Sequence, residues 1–119
     1  MTKHEKLNYV ELPSKNIIQT KAFFSKAFAW VFEDFGPDYI AFSDEGLNGG
    51  FFKSEQASLT KNGAALLVIY SPDLEASLAR VECSGGSIIQ GIFVFPGGRR
   101  FHFTEPGGNE FAVWSEIKE

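Results

Sequence analysis

One local pattern occurs twice along the chain, once in each half. The segments "LNYVELPSKNIIQTKAFFSKAFAW" and "ALLVIYSPDLEASLARVECSGG" each open with a short apolar strand, pass through a Ser/Pro/Asx turn and continue as a helix. In this comparison Tyr9 aligns with Leu66, and Asn16 aligns with Asp73. Because 119 residues suit a single domain, the repeat predicts two similar units within one fold, spanning residues 1–119.

The second helix has clearer start and stop signals than the first. Ser71 is the predicted N-cap, and Pro72 follows where a missing N–H costs nothing. Asp73 suits the positive end of the helix dipole, and Gly85-Gly86 ends the helix. The first helix is predicted from about Ile17 to Ala29, with Ser14 or Asn16 as its cap.

Three short strands are expected after each helix, which makes each half a βαβββ unit. Their predicted spans are Trp30–Phe35, Tyr39–Ser43, Gly49–Lys53, Ser87–Phe95, Arg100–Thr104 and Phe111–Trp114. The first module therefore covers about residues 5–53 and the second about 64–117, and a polar linker at about 54–63 joins them. This is an α+β fold. One helix covers one face of each sheet, so the two bare faces are expected to border a shared cup.

Two segments carry a family resemblance, "KAFFSKAFAW" and "GGRRFHFTEPGGNEFAVW". At this separation they resemble the vicinal oxygen chelate (VOC) superfamily of glyoxalases, bleomycin-resistance proteins, fosfomycin-resistance enzymes and extradiol dioxygenases. Within this superfamily, the chain resembles the small bacterial glyoxalase-like proteins. The resemblance implies two βαβββ modules in a paired, curved mixed sheet around a cup, and a homodimer. It leaves the function open, since one fold hosts many activities.

The resemblance also assigns metal-ligand positions to the first and last strand of each module. In this sequence they fall on Tyr9, Gly50, Leu66 and Ala112, and the match at Gly50 is the loosest. Leucine, glycine and alanine have no side-chain donor atom, whereas a divalent metal needs about three or four N, O or S ligands. We therefore expect no metal and no other cofactor.

Alternation along the strands predicts which side chains face the cup. The predicted ligand-binding set is mostly apolar and aromatic, which favours a small apolar or aromatic ligand. Glu11 and His102 also face the cup and are the candidates for a catalytic role. The predicted set is Tyr9, Glu11, Phe52, Leu66, Val68, Tyr70, Arg100, His102, Ala112 and Trp114.

Two of these residues leave an enzymatic function open. An unperturbed histidine titrates near neutrality, so His102 could transfer protons, or it could be hydrogen-bonded to Glu11 or to a loop carbonyl without any turnover. Glu11 could be a desolvated base, or it could pair with Arg100 and hold the halves together. The hypotheses are a metal-free binding protein, a glyoxalase-like lyase or isomerase that works with or without a metal, and a partner-dependent regulatory module.

Composition and charge limit the expected partners and the expected location of the protein. The formal net charge is −4, the pI is about 5.2 and there is no basic stripe, so nucleic acid is not an expected partner. The single cysteine, Cys83, suits a reducing compartment. No apolar run is long enough for a signal peptide or a membrane span, and we expect a cytoplasmic protein with no membrane contact.

Overall fold

A computed structural model describes residues 4–117 of the chain, and it contains two α-helices and eight strands within them. A single 3-10 turn, Thr60–Asn62, lies in the linker. The element bounds are β1 Tyr9–Ser14, α1 Ile17–Phe28, β2 Phe32–Asp34, β3 Tyr39–Glu45, β4 Leu47–Lys53, β5 Leu67–Tyr70, α2 Leu74–Cys83, β6 Ser87–Phe95, β7 Gly98–Thr104 and β8 Glu110–Ser115. The predicted α+β fold of two βαβββ units is confirmed.

The two halves have the same strand order. In the first sheet the order is β1-β4-β3-β2, and in the second it is β5-β8-β7-β6. The strand before each helix pairs in parallel with the last strand of its half, and the other neighbours are antiparallel. A parallel pair needs a long crossover, which the helix provides. The sequence repeat is therefore a repeat of topology as well.

Equivalent residues cap the two helices. The side chains of Asn16 and Asp73 each accept a hydrogen bond from the backbone N–H three residues further on, at 3.0 and 3.1 Å. The prediction of Ser71 as the second cap was wrong by two residues, because the extended backbone at Asp73 places its carboxylate over the first turn. Ser71 instead bonds Ser77 Oγ at 2.7 Å.

Helix α1 lies against both sheets, and phenylalanine rings make the contacts. Phe24 is fully buried, with its ring 5.6 Å from Phe51 of the first sheet and 5.0 Å from Phe111 of the second, measured between centroids. Its neighbour Phe23 lies 5.5 Å from Phe103. Each buried ring removes a large apolar surface from water, worth about 1.5–3 kcal/mol. One core therefore joins the two modules.

The turn between β7 and β8 forms a second connection between the modules. Asn109 is fully buried and donates from Nδ2 to the carbonyl of Pro13 at 2.5 Å and to Glu105 Oε2 at 2.8 Å. Glu105 also accepts a hydrogen bond from Thr20 Oγ1 at 2.7 Å. Burial raises the pKa of Glu105, and the four hydrogen bonds that it accepts offset this effect only in part.

This connection predicts a large cost for removing one amide. Asn109→Ala deletes the bonds to Pro13 and Glu105 and the bond that Asn109 Oδ1 accepts from the Ser58 N–H at 2.9 Å. We expect the free energy of unfolding to fall by about 2–4 kcal/mol, because buried polar groups lose their partners. Urea denaturation followed by circular dichroism measures this change.

The control is Asn62→Ala, because Asn62 is an exposed residue of the 3-10 turn. It should change the free energy of unfolding by less than roughly 0.5 kcal/mol. Equal effects of the two substitutions would contradict a structural role for Asn109.

Candidate functional site

Each sheet has one face toward the helices and core and one face away from them, which we call its outer face. On β1 the alternation is clear, since Leu12 is buried in the core whereas Tyr9 and Glu11 are exposed. The strand registers extend both outer faces across the sheets. The first outer face includes Tyr9, Glu11, Tyr39, Ala41, Asn48, Gly50 and Phe52, and the second includes Val68, Tyr70, Phe93, Arg100, His102, Glu110, Ala112 and Trp114.

The predicted site residues divide between these two faces. Tyr9, Glu11 and Phe52 belong to the first, and Leu66 directly precedes β5. The second outer face carries the other six, which are Val68, Tyr70, Arg100, His102, Ala112 and Trp114.

Three cavities of about 520–600 Å³ adjoin residues of the predicted set, and each touches a different part of it. One adjoins Tyr9 on the first outer face, one lies between the modules beside Val68 and Tyr70, and one adjoins His102. None of these three cavities brings residues of both outer faces together.

A hydrogen-bonded tyrosine pair occupies the middle of the first outer face. Tyr39 Oη donates to Glu11 Oε2 at 3.0 Å and lies 2.5 Å from Tyr9 Oη. Burial raises the pKa of Tyr39, and its bonds to Tyr9 and Glu11 raise it further. Glu11 is therefore bonded to Tyr39, whereas Arg100 and His102, which were two possible partners for it, lie on the second outer face. Tyr39 was missed because its place beside Glu11 depends on strand pairing rather than on spacing.

The same tyrosine decides how well the first module fits a metal. A side chain at Gly50 would collide with the Tyr39 hydroxyl, which fills the space that a ligand at that position would need. In the second module, Leu66 and Ala112 bring no donor atom to the corresponding positions. Among residues 4–117 there is also no group of three His, Cys, Asp or Glu side chains arranged to hold a metal. The residues at the family's ligand positions do not fit a divalent ion.

Aromatic rings and one arginine form one end of the second outer face. The guanidinium carbon of Arg100 lies 5.3 Å from the ring centroid of Phe93 and 5.1 Å from that of Phe95. Trp114 packs edge to face against Tyr70 at 5.2 Å and against Phe95 at 6.3 Å. Within residues 4–117 the Arg100 Nε is buried without a hydrogen-bond partner. We call these five residues the aromatic end.

Two members of the aromatic end, Phe93 and Phe95, were not among the predicted residues. The register of β6 against β7 shifts between Gln90 and Phe93, so strict alternation along β6 does not hold there. A bulge of this kind re-aims the side chains that follow it. The aromatic composition of "GIFVF" was visible in the sequence, but its orientation was not.

His102 and Glu110 form a buried pair at the other end of this face. His102 Nδ1 lies 2.8 Å from Glu110 Oε2, and the two residues are 9% and 6% exposed. Thr60 in the linker donates to Glu110 Oε1 from its backbone N–H at 2.9 Å and from its hydroxyl at 2.8 Å. Glu110 has the same alternation as Ala112 and Trp114, so the sequence contained a signal for it.

This pair determines which nitrogen of the imidazole carries a hydrogen. Burial raises the pKa of Glu110, but the hydrogen bonds from His102 and Thr60 outweigh burial and hold the pKa below its usual value. An ionised carboxylate only accepts hydrogen bonds, so the His102 Nδ1 carries a proton. Among the described residues, His102 Nε2 has no partner and is buried.

The pH dependence of stability tests the Glu110 pair. A folded-state pKa below the unfolded value of about 4.3 gives a contribution that is present above that pH and is lost as the pH falls through the folded pKa. The difference in unfolding free energy between the native protein and Glu110→Gln should therefore shrink on acidification. Urea denaturation at a series of pH values measures it.

Glu105→Gln is the matched control, because the folded pKa of Glu105 is raised. A raised carboxyl pKa favours the folded state as the pH falls, so the difference between the native protein and this variant should grow on acidification. The same trend in both variants would contradict the assignment of the two carboxylates.

Known structures with this architecture are numerous, and three illustrate their range. A glyoxalase/bleomycin resistance protein/dioxygenase family enzyme from Burkholderia phytofirmans PsJN has a TM-score of 0.77 and 16% identity, covering 94% of this chain and 99% of that one. Lactoylglutathione lyase from Agrobacterium tumefaciens has a TM-score of 0.71 and 14% identity, covering 95% of each chain. The antibiotic binding protein TnmS3 from Streptomyces sp. CB03234 has a TM-score of 0.69 and 16% identity, covering 98% and 99%.

At these identities the likeness shows the fold and not the activity. No curated protein is significantly similar to the chain in sequence. Residues 4–117 contain no helix with the length and apolarity that a membrane crossing requires.

The sequence pattern of one family matches residues 6–113, which is most of the chain. On this match, and with two βαβββ modules in its fold, the protein belongs to the glyoxalase/bleomycin resistance protein/dioxygenase superfamily.

Proposed function

We propose that this protein binds a small aromatic or apolar molecule at the aromatic end of the second outer face and does so without a metal. The observation that carries the proposal is Arg100, whose guanidinium lies over two phenylalanine rings while its buried Nε lacks a hydrogen-bond partner among residues 4–117. A guanidinium held in this way is oriented before a ligand arrives, which lowers the ordering cost of binding.

The neighbouring side chains favour a flat ligand. Tyr70 is 48% exposed, and Trp114 is partly exposed next to it. Offset or edge-to-face contacts between rings add about 0.5–1.5 kcal/mol beyond simple burial. An acceptor group on the same molecule would reach Arg100. A few polar groups within an aromatic surface are typical of sites that orient an otherwise apolar molecule.

A metal-free role agrees with the residues at the family's ligand positions, which do not fit a divalent ion. The relatives include an antibiotic binding protein and a lyase, so the family itself leaves binding and catalysis open. The absence of donor atoms at Gly50, Leu66 and Ala112 is what favours binding for this chain.

We further propose that the protein acts as a homodimer in which a second copy covers the exposed first outer face. Large apolar side chains on this face are open to solvent, including Tyr9 and Phe52. Exposed apolar surface of this kind favours association. Analytical ultracentrifugation would give twice the chain mass if the proposal holds and the single-chain mass if it does not.

Catalysis by His102 is the second candidate function, and the Glu110 contact favours it. A carboxylate that fixes the proton on Nδ1 leaves Nε2 to accept or donate a proton, which is the arrangement of a general acid–base. The reaction would be a glyoxalase-like lyase or isomerase step. Glu11 would not be its partner, because Glu11 lies on the first outer face and bonds Tyr39.

A thermal-shift screen of aromatic compounds tests the leading proposal. A compound that binds only the folded protein should add about 2–3 kcal/mol to the free energy of unfolding at a hundredfold excess over its Kd. Trp114→Ala should remove this stabilisation and still fold, because Trp114 is only partly buried at the end of β8. Stabilisation that survives in Trp114→Ala would contradict binding at the aromatic end.

A conservative control separates lost contact from lost folding. Trp114→Phe keeps a ring in this place and should retain most of the ligand stabilisation. Trp30 is packed against Phe24 in the core at 4.6 Å, so it does not report on the site. Ligand-induced change in tryptophan fluorescence should therefore disappear in Trp114→Phe while the thermal shift remains.

Metal analysis distinguishes the two candidate functions. We expect the purified protein to hold no stoichiometric divalent ion and added metals to leave its melting temperature unchanged. A stoichiometric ion together with lyase or isomerase turnover that is lost in His102→Gln would favour catalysis instead.

A further inference from the structure

A cavity of about 520 Å³ lies between the linker and strands β6 and β7. It adjoins the His102–Glu110 pair, at the opposite end of the second outer face from Trp114. Apolar side chains from the linker and β6 line part of it, and polar side chains from β6 and β7 line another part. These residues are Ala57, Leu59, Ile89, Gln90 and Thr104.

Two lysines stand at the rim of this cavity. Lys15 follows β1 and has its aliphatic stem packed beside Gly108, with its Cδ and Cε about 3.8 and 3.7 Å from the position of a methyl group there. Lys61 belongs to the 3-10 turn of the linker. Both are exposed, and within residues 4–117 neither lies within salt-bridge distance of a carboxylate. Their charges are therefore available to a ligand.

The one carboxylate among the lining residues is Glu110, and both of its oxygens already have partners. Oε2 contacts His102, and Oε1 accepts two hydrogen bonds from Thr60. Two ammonium groups against one carboxylate leave one net positive charge around the cavity. This balance favours a monoanion over a dianion such as a phosphate ester.

His102 adds a directional group to the wall of the cavity. Its side chain lines the cavity and is held by Glu110 through Nδ1, while the buried Nε2 has no hydrogen-bond partner among the described residues. With the hydrogen on Nδ1, the neutral imidazole adds no charge to the cavity, and its Nε2 can only accept a hydrogen bond. Because Nε2 is buried and is not a donor in this form, the charge that a ligand meets comes from the two lysines.

We propose that this cavity is a second binding site, which takes a small organic carboxylate with a short apolar body. The apolar body would contact Ala57, Leu59 and Ile89, and the carboxylate would lie between the two lysines. The volume is within the range of sites for small organic ligands, about 300–1,000 Å³. The site does not require that the aromatic end bind anything.

An NMR titration of the full chain with benzoate and with its neutral analogue benzamide tests this site. Benzoate should shift the backbone amide signals of Ala57 to Lys61, Thr104 and Gly108, and benzamide should not. No shift at millimolar benzoate, or equal shifts with both probes, would overturn the proposal, because charge recognition would then be absent.

Removing the charges of the two lysines is a second test of the site. Lys15→Gln combined with Lys61→Gln keeps the side chains similar in length and should weaken benzoate binding roughly tenfold. The matched control is Lys6→Gln combined with Lys26→Gln, which changes the net charge equally at residues that do not line the cavity. Equal loss in both double variants would show a general effect of net charge and would refute the site.

The location of the shifts separates this proposal from the proposed function. Trp114→Ala should leave benzoate binding in the cavity unchanged. Benzoate shifts confined to Tyr70 and Trp114, and lost in Trp114→Ala, would refute the cavity and leave the aromatic end as the binding site.

Discussion

Helix α1 packs against both sheets at once, and the rest of the architecture depends on this contact. Phe24 touches Phe51 of the first sheet and Phe111 of the second, so neither module has a complete core without the other. Burial on this scale is what a chain of 119 residues needs, since small domains gain little stability from surface contacts. This packing leaves the two outer faces, together with the cavity between the modules, for ligands or partners.

The turn at Glu105–Asn109 fixes how the modules are oriented once the core has joined them. Apolar packing is not directional, whereas the bonds from Asn109 to Pro13 and from Thr20 to Glu105 allow one arrangement. The same turn starts β8, and it brings Glu110 to the linker and to His102. A motif that looks like a simple turn in the sequence therefore connects the core to the second outer face.

The family's ligand positions show how a fold can be kept while a site changes. Where a metal ligand would extend from the first sheet, the Tyr39 hydroxyl fills the space and bonds Tyr9 and Glu11. On the second sheet an arginine between aromatic rings and a histidine held by Glu110 provide the polar groups. Substitutions of this kind do not disturb the core, because they lie on the opposite face of each strand.

The sequence by itself determined the two βαβββ units, most element bounds and the outward alternation of Tyr9, Glu11, His102 and Trp114, because strand period, helix caps and turn residues are local properties. It did not determine which residues these side chains contact. Glu11 bonds Tyr39, His102 bonds Glu110, and the shifted register of β6 brings Phe93 and Phe95 to Arg100. Those contacts depend on which strands pair and in which register, and on where the linker crosses the second sheet. Only the tertiary structure decides these, since they join residues that are distant in the chain.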